Sequence, residues 1–159
     1  MMKISAKVGA AAVILAAFSA WANCGETERV SVTIKAIKCS GKAKGEPQFS
    51  DELGELRASL LQYYRGYAKY ELLEQQTQGP VQLGTAVEFT LAIGAKVKVT
   101  VTELAADRCV ADIEIFSGGE RVGKTQVRAK PGTYNYAAVS KGEAQLIAVA
   151  FKVEQAPAK

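Results

Sequence analysis

From Tyr67 to Val153 the apolar residues of this 159-residue chain recur at every second position and never return to helical spacing. Successive side chains of an extended strand point to opposite faces, so a period of two marks half-buried strands. Ala68, Tyr70 and Leu72 alternate with Tyr67, Lys69 and Glu71. After the turn-like Gln78-Gly79-Pro80, Val81 and Leu83 suggest a short edge strand. Val87 to Ile93 and Val97 to Val101 then flank Gly94 as the clearest hairpin in the chain. Cys109, Ala111, Ile113 and Ile115 alternate with Asp112 and Glu114, and Ser117-Gly118-Gly119-Glu120 turns the chain into Arg121 to Lys130. That segment is polar throughout, the mark of an edge strand. Thr133 to Val139 follows Pro131-Gly132, with Tyr134 and Tyr136 on one face. Ala144 to Val153 is apolar on both faces and is expected at a sheet centre.

Upstream, Val30, Val32, Ile34 and Ala36 alternate with Arg29, Ser31, Thr33 and Lys35 as a first strand, and Ser40 to Gln48 is a loop. Only one segment departs from the period of two. Ser50 is placed to cap a short helix, with Asp51 and Glu52 in its first turn and Leu53, Leu56 and Leu60 on one face, widened by Leu61 and Tyr64. Arg65-Gly66 reads as its end. The expectation is a mainly β (α+β) fold: an antiparallel sandwich or open barrel of about eight strands, with one short helix after the first strand. A strand-helix-strand opening would also allow the first two strands to run parallel.

The N-terminus reads as an address. Lys3 and Lys7 precede an eleven-residue apolar stretch, Val8 to Phe18, and Ala20-Trp21-Ala22 supplies small residues for a cut after Ala22. The stretch is too short to span a bilayer, which takes about 20 apolar residues. The expected organisation is a signal peptide over 1–22, one β-rich domain over 23–154 and a disordered tail over 155–159, with export to the periplasm or beyond. Lipoprotein processing at Cys24 is the lesser alternative, because Trp21 and Asn23 stand where an aliphatic and a small residue are needed.

Export frames the cysteines. Cys39 and Cys109 end apolar segments and could pair in an oxidising compartment, or remain two small buried side chains. No C-x-x-C spacing exists for a redox or zinc site. The absence of histidine removes Ser-His-Asp and Cys-His catalysis and imidazole metal sites together. The formal charge of +4 owes two charges to Lys3 and Lys7, so the domain itself is near neutral and gives no general case for nucleic acid.

Gly118 to Thr125 spells G-x-x-x-x-G-K-T, the phosphate-cradling pattern of P-loop nucleotide hydrolases. That chemistry needs a helix after the loop, whose N-terminal N–H groups hold the phosphates. Thr125 to Lys130 is too short and polar before Pro131-Gly132, and no aspartate follows to position magnesium. A hairpin turn and an edge strand are expected instead, with no nucleotide and no cofactor.

Two surface clusters remain. Lys35, Lys38, Lys42 and Lys44 gather at the end of the first strand and its loop, either as a grip on an anionic surface or as a solvated, edge-protecting loop. Four of the six tyrosines, Tyr63, Tyr64, Tyr67 and Tyr70, fall within eight residues. Tyr64 and Tyr70 are expected to pack the helix on the sheet, leaving Tyr63 and Tyr67 for a contact patch.

The V-x-V-x-I strand at Val30 to Ile34, the D-x-L-x-x-L helix at Asp51 to Leu56, YAKYELL at Tyr67 to Leu73 and the closing GEAQLIAVAF resemble small exported proteins of bacterial envelopes. The resemblance implies an envelope compartment and a β fold, and carries no chemically specific residue. A non-catalytic structural or protein-binding module of the envelope is the expected function, with an envelope protein or glycan as partner. A carbohydrate- or lipid-binding domain is the alternative, and an enzyme with an unrecognised site ranks below both.

Overall fold

A computed structural model describes residues 28–140 and 145–156 of the chain. The signal segment over 1–22 and Cys24 lie outside the described residues, as do 157–159.

Among the described residues nine strands form two sheets. They are β1 (Arg29–Lys42), β2 (Gln48–Phe49), β3 (Tyr67–Gln82), β4 (Ala86–Thr90), β5 (Ala95–Leu104), β6 (Cys109–Ser117), β7 (Glu120–Ala129), β8 (Tyr134–Ser140) and β9 (Gln145–Gln155). Sheet A runs β2-β3-β1-β9-β8 and sheet B runs β4-β5-β6-β7. The sheets do not close into a barrel; they face each other as a sandwich. Between them pack Val30, Val32, Ile34 and Ala36 from β1 and Val149, Phe151 and Val153 from β9, against Phe89, Val97, Val99, Val101, Ala111, Ile113 and Ile115 from sheet B. Strand alternation produces this core directly: each inward side chain is apolar, and its neighbours on the strand face away.

The alternate residues of β1 and β9 meet the helical segment, a 3-10 turn (Asp51–Leu56) running into α1 (Arg57–Tyr63). Leu53, Leu56 and Leu60 are fully buried against Ile37, Cys39, Tyr70, Ala148 and Ala150. β9 therefore needs apolar residues on both faces, as its sequence announced, and it lies between β1 and β8. Leu61 falls on the outer side of the helix and is exposed. Ser50 does not cap by its side chain. Its hydroxyl instead donates to the Tyr70 carbonyl at 3.3 Å and accepts the Leu72 N–H at 2.9 Å, fastening the helix entry to β3.

Three expectations of the sequence are corrected. β1 and β3 are antiparallel, and among the described residues the one parallel contact in sheet A is the two-residue pairing of β2 with β3. Gln78-Gly79-Pro80 is no turn: β3 runs through it, with Gly79 and Pro80 bulging opposite Ser31 and the Gly79–Pro80 bond cis. Gly79 has φ +130°, and a Cβ there would stand 2.7 Å from the Val30 carbonyl oxygen, so only glycine fits. The first two residues of the expected 155–159 tail are also tied down. Gln155 belongs to β9, and the Ala156 N–H donates to the Arg29 carbonyl at 2.9 Å.

The Gly94 hairpin forms as expected, pairing β4 with β5. Gly118 and Gly119, both at positive φ, make the two-residue turn between β6 and β7, with Ser117 opposite Glu120. Lys124 is then a strand residue across from Glu114, so the phosphate-loop spelling has no helix behind it. Among the described residues no helix is long and apolar enough to cross a membrane.

Candidate protein-binding edge

The two long sides of the sandwich differ. On one, β3 and β4 stand together, and side chains from β3 occupy the free backbone groups of β4. Gln76 Nε2 donates to the Thr90 carbonyl at 2.8 Å and Gln78 Nε2 to the Glu88 carbonyl at 2.7 Å. Just beyond the strand, the Ala92 N–H donates to both carboxylate oxygens of Glu74, at 3.1 and 3.2 Å. An edge so occupied has few backbone groups left to offer an incoming strand.

On the other side stand β7 and β8, the free edges of sheets B and A. β7 is ten residues long and pairs only with β6. Among the described residues no hydrogen bond reaches its outward-facing backbone groups. Half of its N–H and C=O groups point toward β6 and half point to solvent, the arrangement that templates a further strand. The sequence placed β7 at an edge through its polarity, and the structure agrees. Val122 bulges out of register with Phe116 and is exposed, a device that twists one end of the edge away from pairing. The register from Gly123 to Ala129 is unbroken.

Within that regular stretch the two faces carry different chemistry. Thr125, Val127 and Ala129 lie across from Ile113, Ala111 and Cys109, and Val127 and Ala129 pack against the sandwich core while Thr125 stays exposed. Lys124, Gln126 and Arg128 lie on the outer face. Glu114, opposite Lys124, already holds Arg121 at 3.0 Å, and Arg128 sits across from Val110. Among the described residues neither Lys124 nor Arg128 forms an ion pair.

Beside Val127 a recess of about 260 Å³ opens along the edge of β8, lined by Tyr63, Tyr64, Tyr134, Asn135 and Tyr136. α1 delivers Tyr63 and Tyr64 at its end, while β8 presents Tyr134 and Tyr136 on the outer face of sheet A. The Tyr63 and Tyr64 rings lie 5.6 and 5.8 Å from that of Tyr136, tilted and edge-on. Tyr136 hydrogen-bonds Ser59 of α1, which locks the helix end to β8. Burial pushes the Tyr64 phenol up to about 12, with smaller contributions from the neighbouring Cys39 and Tyr136, and raises Tyr136 as well. The Tyr64 and Tyr136 phenols therefore keep their protons near neutral pH. Tyr63 is 62% exposed, the most open large apolar side chain in the described fold.

The structure thus brings Tyr63 into a patch, but with partners some seventy residues away, and separates it from Tyr67. Tyr67 packs edge-on against Tyr70, whose ring stacks on Phe49 at 4.6 Å. The sequence signal for the missing half of the recess was the Tyr134–Tyr136 pair on one strand face.

The lysine cluster is also divided. Lys35 points to the helix face of sheet A and is 5% exposed, its Nζ donating to Glu55 at 2.7 Å and standing 5.1 Å over the Tyr134 ring. Lys152 stands over the same ring at 5.1 Å. Burial lowers the Lys35 ammonium, but the Glu55 hydrogen bond and the Tyr134 phenol together outweigh it, so its pKa lies above the ordinary lysine value. Lys35 is a structural ion-pair partner and not part of a surface grip. Lys38, three residues on, falls on the opposite face, cross-strand from Glu71, and only Lys42 and Lys44 are fully exposed. The cysteines are separated by the backbone of sheet A: Cys39 packs under the helix and Cys109 inside the sandwich, both free thiols, so of the two readings it is the pair of small buried side chains, and not the possible disulfide, that the fold holds. Burial pushes the Cys39 thiol up to about 11.

Among the described residues no cluster of acidic or cysteine side chains could hold a metal ion, and no buried side-chain polar atom lacks a hydrogen-bond partner. Comparison with protein-family models, with curated proteins and with solved structures finds no match.

Proposed function

We propose that the chain is an exported, non-catalytic protein-binding module of the bacterial envelope that recruits its partner by strand addition at β7. The observation that carries this reading is the asymmetry of the sandwich: the β4 edge is capped by Gln76 and Gln78, whereas among the described residues nothing pairs with the outward side of the regular stretch of β7 from Gly123 to Ala129. A strand laid along β7 gains about five intermolecular backbone hydrogen bonds, each contributing about 0.5–1.5 kcal/mol net. The lysine-flanked apolar stretch ending in Ala20-Trp21-Ala22 supports export.

Site-specific photo-crosslinking in the native envelope tests the reading. A crosslinker at Gln126 on β7 should capture one discrete partner, while one at Glu88 on the capped β4 edge should not. Equal capture from both positions, or capture only from the Lys42–Lys44 loop, would refute it.

A further inference from the structure

The edge and the recess are parts of one site, and their chemistry specifies the occupant. Resting on the strand-addition reading, the geometry points to an acidic extended peptide segment that carries one large apolar or aromatic residue facing inward opposite Val127. The argument starts from strand spacing. A strand paired with β7 lies about 4.8 Å outside it, and its side chains alternate in step with those of β7.

On the outer face, the nearest neighbours of such a strand are Lys124 and Arg128, two cations without an acid partner among the described residues. They stand four residues apart, so acids four apart on the incoming strand meet both. Lys130 extends the same sign at one end, while Arg121 at the other is held by Glu114, and the acids on or beside this face are Glu114, Asp112 and Glu120. A second copy of this chain is disfavoured as occupant, because antiparallel pairing of β7 with itself would set these cations against each other.

On the inner face, the side chain beside Val127 points at the edge of β8, where the recess opens between Val127 and the tyrosines. A recess of about 260 Å³ has room for one large side chain. The walls suit a ring: Tyr63 and Tyr136 offer faces and edges within ordinary aromatic contact, and Asn135 supplies a polar group at the rim. Backbone pairing would provide the affinity, and the cations and the recess the choice of sequence.

The test uses the purified full chain and synthetic ten-residue peptides that alternate glutamate with threonine and carry one central phenylalanine. The glutamate peptide should bind at least about tenfold more tightly than its lysine counterpart, with the gap narrowing in high salt. Replacing the phenylalanine with alanine should cost about tenfold in affinity. Lys124→Glu with Arg128→Glu should reverse the charge preference, and Tyr63→Ala should erase the phenylalanine preference while leaving the charge preference intact. A preference that survives the charge reversal, or peptides that bind without distinction, would overturn this inference, and so would a neutral oligosaccharide that fills the recess while no peptide binds. In each of those cases crosslinking through Gln126 still decides strand addition by itself.

Discussion

If Gln76 and Gln78 close the β4 edge, replacing both with alanine should open it. The double variant removes the two hydrogen bonds, of 2.8 and 2.7 Å, onto the Thr90 and Glu88 carbonyls, along with a long 3.4 Å contact from Gln76 to Glu74 that adds little. Both glutamine amides are at the surface, so the released carbonyls are hydrated and no buried polar group is stranded. The loss is then the net worth of two exposed bonds, about 0.5–1 kcal/mol each and about 1–2 kcal/mol together. In a domain of this size that lowers Tm by about 3–10 °C. Urea unfolding should show a lower midpoint at unchanged m, since the surface exposed on unfolding is the same. Gln126→Ala is the control: Gln126 donates only to Asp112 Oδ1 on the solvent face of sheet B, at 3.0 Å, and its loss should cost less than about 0.5 kcal/mol. The double variant should also self-associate with rising concentration in sedimentation velocity, because β4 then presents unpaired backbone. A double variant that is monomeric and within about 0.5 kcal/mol of the parent would show that the glutamines do not guard the edge, and the contrast between the two sides would fail.

Other consequences follow from the packing. Gly79→Ala places a Cβ 2.7 Å from the Val30 oxygen on a backbone with φ +130°, and should destabilise by about 1–3 kcal/mol or more in chemical denaturation. The Lys35 hydrogen bond, more than its charge alone, holds the Glu55 carboxyl below the ordinary range, so the folded value lies below the unfolded one. Glu55 therefore adds stability above the usual carboxylate pKa of about 4.3 and loses it as pH falls through the lowered value. Lys35 is shifted upward, so its contribution is complete below the ordinary lysine pKa and disappears as pH rises through the raised one. The stability gap between parent and Glu55→Gln should be constant near neutrality and close at acid pH; a gap that widens in acid would contradict the pair. With Cys24 changed to serine, neither Cys39 nor Cys109 should react quickly with a thiol reagent near pH 8, and both should react on unfolding, since burial raises each thiol. Recovery of a Cys39–Cys109 disulfide from the native protein would contradict the placement of the two on opposite sides of sheet A.

Much of this fold could be read from single-residue periodicity, because a sandwich is made of half-buried strands and each strand reports its own burial. The polarity of Arg121 to Lys130 named an edge, and the two-faced apolarity of Ala144 to Val153 named a centre. Gly118-Gly119 outweighed the phosphate-loop spelling because a turn at positive φ is a local property. What periodicity could not report was pairing across long separations. β3 continues through Gly79-Pro80 because a bulge opposite Ser31 absorbs the irregularity, and that depends on β1, not on the local letters. Lys35 looked like the solvent side of a strand because nothing in its neighbourhood showed that Glu55 and Tyr134 would cover that face. The recess was half visible: Tyr63 came from the helix end, but its partners arrive from β8, and the capping glutamines of β3 look like ordinary surface residues until β4 stands beside them.

Amide hydrogen exchange on β7, compared between the free protein and its complex, tests strand addition most directly. Alternate amides from Gly123 to Ala129, those facing away from β6, should exchange rapidly in the free protein and become protected on binding, while the β4 amides are unaffected. If those amides remain fast in the bound state and protection appears elsewhere on the surface, β7 is not where the partner docks.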